Sequence, residues 1–143
     1  MKVFVTHAES DELLAREVVR ALGQAGLEVW DEAVEVYPSD NWAKVIGEAL
    51  EQAEAMVVLL TPEALDSTRV VRDIQFALTK ITFKDRLISV LVDIDHARAK
   101  EKDHARAKEK MPIIRFSKMI TMPASERQDE SINQITQALK AVA

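Results

Sequence analysis

The chain has 143 residues, carries a formal net charge of -5 and contains no cysteine. This length suits one domain whose core needs no covalent support. The absence of cysteine excludes disulfides, thiolate catalysis and cysteine-ligated zinc, and it suits a reducing compartment. The acidic balance argues against general affinity for nucleic acids.

The apolar segments are too short to cross a bilayer. The first residues, MKVFVTHAESDE, turn polar after three apolar positions, and the longest apolar run is AMVVLL at Ala55–Leu60. A transmembrane helix needs about 20 apolar residues. We therefore expect one cytoplasmic domain over residues 1–143 that has no membrane partner.

Five short apolar segments alternate with longer stretches of helical period. The predicted strands cover Lys2–Thr6, residues 27–30, Ala55–Leu60, Leu87–Val92 and residues 113–116. Three of these segments are nearly all apolar, which is typical of strands that are covered on both faces of a parallel sheet.

Between the predicted strands, apolar residues recur at helical spacing and form stripes on three predicted helices. The first of these helices has Ser10 or Asp11 as its candidate N-cap and Gly23 near its end. The stripes are Leu14, Val18 and Leu22; Trp42, Val45, Ile46, Ala49 and Leu50; and Ile132, Ile135, Leu139 and Val142.

This alternation predicts an α/β fold, a flavodoxin-like three-layer sandwich with a five-stranded parallel sheet in the order 2-1-3-4-5. In that order the chain reverses direction across the sheet between strands 1 and 3. We expect a ligand crevice there, walled by the loops THAESD and TPEALDS.

A tandem repeat interrupts the pattern after the fourth strand. DHARAKEK occurs at residues 95–102 and again at 103–110, which predicts a charged helical insertion at about 95–110. Two interpretations are open: a solvated excursion that arose by duplication, or a basic surface that docks an acidic partner. His96 and His104 would lie roughly 12 Å apart on a helix, too far for one ion, so we predict no metal site.

Two familiar phosphate-binding motifs are absent. The sequence has no G-x-G-x-x-G after the first strand and no G-x-x-x-x-G-K-[ST], which excludes the usual dinucleotide fingerprint and the P-loop. The third strand ends LLTP, whereas a phosphoacceptor receiver needs an aspartate at that point.

Three consecutive segments resemble a known family. VFVTHAESDELLAREVVRALGQAGLEVW is similar to the first box of a TIR (Toll/interleukin-1 receptor) domain. WDEAVEVYPSDNW resembles the following strand and BB loop, here residues 34–41. EALEQAEAMVVLLTPEALDSTRVVRDIQFAL resembles the third strand and the helix after it, so the resemblance covers about residues 2–92.

The resemblance implies two activities. Many TIR domains, bacterial ones especially, cleave NAD into nicotinamide and ADP-ribose or a cyclised product, and others act only through TIR–TIR assembly. We therefore expect NAD as a substrate with no cofactor, and self-association or another TIR-containing chain as a partner. A flavodoxin-like sensor of small ligands is a third hypothesis.

The family motif W-x-x-x-E assigns the catalytic position. Laid on this chain, it puts Arg69 in place of the tryptophan and Asp73 in place of the catalytic glutamate. The resemblance makes Tyr37 and Pro38 interface residues. The predicted substrate-binding residues are Thr6, His7, Trp30, Ser39, Trp42, Ser67 and Arg69. For His7 a hydrogen bond to the backbone is the alternative. For Trp42 and Trp30 the alternative is a place in the core.

Asp73 has two interpretations. As the catalytic acid it would stabilise a developing cation, although its reach is one methylene shorter than that of glutamate. A misplacement of about 1 Å can reduce a rate on the order of 100-fold. Alternatively, Asp73 is a charge on a solvated helix surface, paired with Arg72 or Arg69.

Overall fold

The computed structural model describes residues 1–31, 42–79, 83, 85–92, 118–122 and 128–142. The strands are β1 (Lys2–Thr6), β2 (Glu28–Asp31), β3 (Ala55–Leu60), β4 (Leu87–Val92) and β5 (Lys118–Met122). The α-helices of the described part are α1 (Glu12–Gln24), α2 (Trp42–Gln52), α3 (Thr68–Thr79) and α4 (Gln128–Ala141). Single 3-10 turns precede α1 at Glu9–Asp11 and α3 at Ala64–Asp66.

The five strands form one parallel sheet in the order β2-β1-β3-β4-β5, as predicted. β1 lies between β2 and β3, with Val3 opposite Val29 on one side and Ala55 on the other. The chain adds β2 on one side of β1 and then crosses back to add β3 and β4 on the other side. The direction in which strands are added therefore reverses between β1 and β3, and this place at the carboxyl ends of the two strands is the reversal point. In parallel sheets ligands bind outside the carboxyl ends of the strands at such a reversal.

Two apolar layers cover the sheet because side chains alternate between its faces. Phe4 and Met56 pack toward α2 and α3, whereas Val3 and Val57 pack toward α1 and α4. Two of the described helices lie on each face, which gives a three-layer sandwich. Thr6 follows Phe4 by two residues, so its side chain faces the α2–α3 layer.

The predicted bounds of β1, β3 and β4 are confirmed, and β2 is shifted by one residue. The fifth strand is different, because β5 lies beyond the predicted residues 113–116, which fall outside the described part of the chain. The insertion at 95–110 also falls outside it. In KMITM, Ile120 and Met122 are buried and Lys118 is exposed, so this edge strand has no continuous apolar run.

Gly23 lies near the end of α1, as expected, but the glycine that turns the chain into β2 is Gly26. Gly26 has φ 92°, in the left-handed region, and the Leu27 N–H donates to the Leu22 carbonyl over 3.1 Å. This geometry closes the helix and turns the chain into β2. Left-handed backbone favours glycine because a Cβ would crowd the following carbonyl.

We expect Gly26→Ala to lower the free energy of unfolding by about 1 kcal/mol, because alanine is strained at this φ. Gly23→Ala is the matched control, since Gly23 is helical and a Cβ at either position meets nothing within 4 Å. It should raise stability by about 0.5–1 kcal/mol through helix propensity. Urea unfolding of both variants measures this, and changes of the same sign would contradict the assignment.

Candidate functional site

Asp73 lies inside the protein. The inward stripe of α3 consists of Val70, Asp73, Ile74 and Ala77, and Asp73 is 0 % exposed. The interpretation of Asp73 as a solvated helix charge is therefore wrong. Its carboxylate sits at the carboxyl end of β1, where the predicted site was expected.

Both carboxylate oxygens of Asp73 accept hydrogen bonds. The Thr6 hydroxyl donates to Oδ2 over 2.8 Å, and the two groups are fully buried. Arg72 donates to Oδ1 through Nη2 at 2.8 Å and through Nε at 3.2 Å. The Arg72 side chain is 35 % exposed, so its outer part reaches water while the carboxylate does not.

A buried ion pair of this kind gives little net stability. Desolvation of the two groups offsets most of their attraction, and apolar residues of similar volume often serve a core equally well. Once present, the pair cannot be broken cheaply, since removing one partner of a buried pair costs about 3–5 kcal/mol. Buried acids with a specific charge partner are frequent at functional sites.

Arg69, the other candidate partner of Asp73, points elsewhere. Its Nη2 donates to the His7 carbonyl oxygen over 2.7 Å, and its Nη1 lies 4.0 Å from the exposed carboxylate of Glu9. Arg69 therefore fastens α3 to the loop after β1. Of the two arginines proposed from the sequence, Arg72 is the one that pairs with Asp73.

His7 and Ser67 take structural positions. His7 is 1 % exposed, and its Nδ1 lies 2.7 Å from the Ala8 carbonyl oxygen, so Nδ1–H donates to the backbone. The Ser67 hydroxyl accepts a 3.3 Å hydrogen bond from the Val70 N–H and so caps the first turn of α3.

Trp30 belongs to the same face of the sheet as Thr6. Its ring stacks on Phe4 with a centroid distance of 5.0 Å and an interplanar angle of 17°. It is half-buried and lines an open groove of about 340 Å³ with Val45 and Ala49. An aromatic face is thus available beside β1, although part of it is used by the core.

The remaining predicted site residues fall, wholly or in their side chains, outside the described part of the structure. Trp42 begins α2, but its side chain is outside the described part of the structure. Tyr37, Pro38 and Ser39 also lie outside the described residues.

The loops after β1 and β3 are joined by a short hydrogen bond. Thr61 Oγ1 donates to the Asp11 carboxylate over 2.5 Å and accepts from the Ala64 N–H over 3.1 Å. Asp11 precedes α1, but its side chain makes no cap hydrogen bond and binds Thr61 instead. THAESD and TPEALDS therefore meet at the reversal point, as predicted.

These two loops wall an open cleft of about 460 Å³, lined by Asp11, Thr61, Glu63, Leu14 and others. Val92 is also among the lining residues, and its side chain packs on the α1–α4 face. Asp73 does not line this cleft. The reversal point thus carries two polar arrangements, the Asp11–Thr61 bond at the cleft and the Asp73–Thr6 bond on the α3 side.

Two features are absent from the described residues. They contain no group of three His, Cys, Asp or Glu side chains that could hold a metal ion. None of the helices in the same part of the chain combines the length and apolar character needed to span a bilayer.

The sequence contained a signal for the buried acid that the prediction did not use. Position 73 lies three residues after Val70 and four before Ala77, so helical spacing places it on the inward stripe. Thr6 alternates with Phe4, so strand spacing places it on the facing side of the sheet. Together these spacings bring Thr6 and Asp73 toward each other.

Solved structures with the same fold share little sequence with this chain. A TIR-STING receptor from C. gigas, in complex with 2',3'-cGAMP, is 14 % identical with a TM-score of 0.68; the match covers 96 % of this chain and 38 % of the receptor chain. The TIR domains of the activated Roq1 resistosome are 16 % identical, with a TM-score of 0.69 and 99 % coverage of both chains. The Clostridium botulinum CMP N-glycosidase BcmB is 15 % identical, with a TM-score of 0.55 and coverage of 96 % and 99 %.

The fold and the site define a flavodoxin-like α/β domain with a buried acid at the reversal point. The TIR domain family profile matches residues 3–137, and the chain belongs to the TIR domain family. No curated protein matches its sequence at a significant level.

The pH dependence of Asp11 provides a test of the loop junction. Burial raises the pKa of the Asp11 carboxyl, Glu63 adds to this effect, and the Thr61 hydrogen bond and His7 oppose it. An acid with a raised pKa stabilises the fold at pH values below its unfolded pKa, and this contribution is lost as pH rises through its folded pKa.

We therefore expect Asp11→Asn, which keeps an acceptor for Thr61, to be more stable than the wild type at pH 7. The gain should be below about 1 kcal/mol, because water still reaches part of the carboxyl. It should shrink as pH falls through the raised pKa, since both side chains are then neutral. Urea unfolding of both proteins between pH 4 and 7 measures it, and a gain that grows on acidification would contradict this assignment.

Proposed function

We propose that this TIR domain binds NAD and cleaves the bond between nicotinamide and ribose, with Asp73 as the anionic group. The observation that carries the proposal is the fully buried Asp73 carboxylate at the carboxyl end of β1, held by Thr6 and Arg72. The family resemblance assigns the catalytic acid to this position.

The chemistry requires an anion and no general acid for the leaving group. When the C1'–N bond breaks, its electron pair goes to the pyridinium nitrogen, and nicotinamide leaves as a neutral molecule. Positive charge remains on the ribose until water, or a nucleophilic atom of the same dinucleotide, adds to C1' and releases a proton. A preorganised carboxylate lowers the energy of this cation-like transition state.

The environment of Asp73 suits such a role. Charges act more strongly where water is excluded, and Asp73 is 0 % exposed. Thr6 fixes one oxygen from a rigid strand, which keeps the carboxylate oriented. An acid on the inward stripe of a helix adds little to stability, so a functional reason for it is favoured.

The same contacts predict a slow enzyme. Both oxygens of Asp73 are occupied, and Arg72 brings a positive charge to 2.8 Å. A substrate must open the site and displace part of this arrangement. The shorter reach of aspartate acts in the same direction.

One structural neighbour is named for a reaction of the same class. BcmB is named a CMP N-glycosidase, so an enzyme of similar fold is assigned to cleavage of an N-glycosidic bond. At 15 % identity BcmB is comparable to this chain in fold alone. The argument for NAD therefore rests on the family and on Asp73.

Substitutions of Asp73 test the proposal. Asp73→Ala should abolish nicotinamide release, because only binding and proximity remain. Asp73→Glu should raise it, since the longer side chain restores the reach of the family's glutamate. The extra methylene in a packed site costs about 1–3 kcal/mol of stability, so melting temperatures accompany the assay.

Asp129→Ala, which removes an exposed acid on α4, is the matched control and should leave nicotinamide release unchanged. Nicotinamide is followed by chromatography at low and high protein concentration. Folded Asp73 variants that all cleave NAD at the wild-type rate would overturn the proposal, and so would the absence of release from both the wild type and Asp73→Glu.

A catalytically silent assembly module is the second candidate function. The observation that favours it is the Arg72–Asp73 ion pair, in which the guanidinium offsets the negative charge of the acid. Roq1, whose TIR domains share this fold, is described in an activated resistosome. On this hypothesis residues 34–41, which resemble the BB loop, form one contact.

We expect Tyr37→Ala and Pro38→Ala to weaken self-association without a change in the melting temperature, because the resemblance places both residues at the interface. Sedimentation velocity over a wide concentration range measures this. Unchanged sedimentation in both variants would remove the BB loop from the interface.

A further inference from the structure

Arg72 is a residue for which neither the family motif nor the predicted site has a role. It neighbours Asp73 on α3 and places its guanidinium on Oδ1, at 2.8 Å from Nη2 and 3.2 Å from Nε. Adjacent residues on a helix do not face each other, so Arg72 must bend sideways to make this contact. Its side chain is 35 % exposed, whereas Asp73 and Thr6 are fully buried.

The pair poses an electrostatic problem for the proposed reaction. A carboxylate that is neutralised by a guanidinium at hydrogen-bond distance presents little net negative charge to a third group. It can stabilise a ribose cation only when Arg72 has left. Arg72 cannot simply leave, because a buried charge without a partner is strongly disfavoured.

The substrate itself solves this problem. NAD carries a positive charge on its nicotinamide and negative charge on its pyrophosphate. The guanidinium fork fits phosphate oxygens as well as carboxylate oxygens. If the nicotinamide ribose replaces Arg72 beside Asp73 while the pyrophosphate takes the guanidinium, neither charge is left without a partner.

We propose that Arg72 is a specificity-determining residue that exchanges Asp73 for the pyrophosphate of the dinucleotide when the substrate binds. This inference rests on the proposed function. Thr6 remains on Oδ2 throughout, because it is buried on a strand, and keeps the carboxylate in place. The exchange selects substrates that carry both a cationic base and a phosphate group.

Three ligands test the two contacts of the exchange separately: the contact of Arg72 with the pyrophosphate and the contact of Asp73 with the cationic end of the substrate. NAD carries both charges, nicotinamide riboside has the cationic base but no phosphate, and ADP-ribose has the pyrophosphate but no cationic base. An intact Arg72–Asp73 pair should favour NAD over each of the other two.

The first test compares the kcat/KM for nicotinamide release from NAD and from nicotinamide riboside in the wild type and in Arg72→Gln. Glutamine keeps a hydrogen-bond donor and removes the charge. The ratio of the two kcat/KM values should fall by on the order of tenfold to a hundredfold, the usual weight of a charge-assisted hydrogen bond. Arg72→Lys, which keeps the charge without the fork, should restore part of the ratio.

This ratio is insensitive to loss of folded protein, because misfolding reduces both rates by the same factor. The same comparison is also made in an Asp73→Glu background, in which we expect faster release of nicotinamide and therefore rates that are easier to measure. An unchanged ratio in Arg72→Gln, with NAD still cleaved, would overturn the exchange and leave the proposed function standing.

The second test measures ADP-ribose binding by calorimetry and needs no catalysis. Asp73→Asn removes the charge that holds Arg72, so ADP-ribose should bind on the order of tenfold more tightly than to the wild type. The double variant Asp73→Asn, Arg72→Gln should lose this gain. Equal affinities in the single and double variants would overturn the exchange, even if no variant cleaves NAD and the proposed function fails separately.

Discussion

The hydrogen bond between Thr6 and Asp73 is the constraint on which the candidate site depends. It joins the end of β1 to the inward stripe of α3, and both partners are fully buried. A carboxylate at that depth needs donors for both oxygens, and Arg72 supplies the second set. The acid is therefore held in one orientation at the edge of the sheet where parallel α/β proteins bind ligands.

The reversal of the chain between β1 and β3 gives this edge two different surfaces. On the α1–α4 side, Asp11 and Thr61 join the two loops beside an open, acidic cleft. On the α2–α3 side, Thr6 and Asp73 lie buried between the end of β1 and α3, and Trp30 stacks on Phe4 of the same sheet face. The loops thus hold the end of β1 in position while the acid faces the other layer of the sandwich.

Much of the fold could be predicted because its signals are local. Continuous apolar runs indicated β1, β3 and β4 at their observed bounds, and the alternation of elements indicated the strand order. β5 was misplaced because an edge strand with Lys118 at its start has no such run. Gly23 lies near the end of α1, as expected, whereas the need for a left-handed residue at Gly26 became visible only in the backbone of the turn.

The site was less predictable because its contacts join residues far apart in sequence. The motif indicated Asp73, yet its burial depends on how α3 packs on the sheet. Arg69 and Arg72 both flank the acid in sequence, and only the packed structure separates them: one reaches the His7 carbonyl, the other the carboxylate. Asp11 resembled a helix cap, and its tie to Thr61 is a contact between loops 50 residues apart.

The central claim is that the negative charge of Asp73, and not merely its shape, supports cleavage of NAD. The most direct measurement is a proton NMR time course of NAD with the wild type and with Asp73→Asn, which replaces one carboxylate oxygen by an amide group. The account predicts that free nicotinamide accumulates with the wild type and does not accumulate above the enzyme-free rate with Asp73→Asn. Equal accumulation with both folded proteins would contradict it.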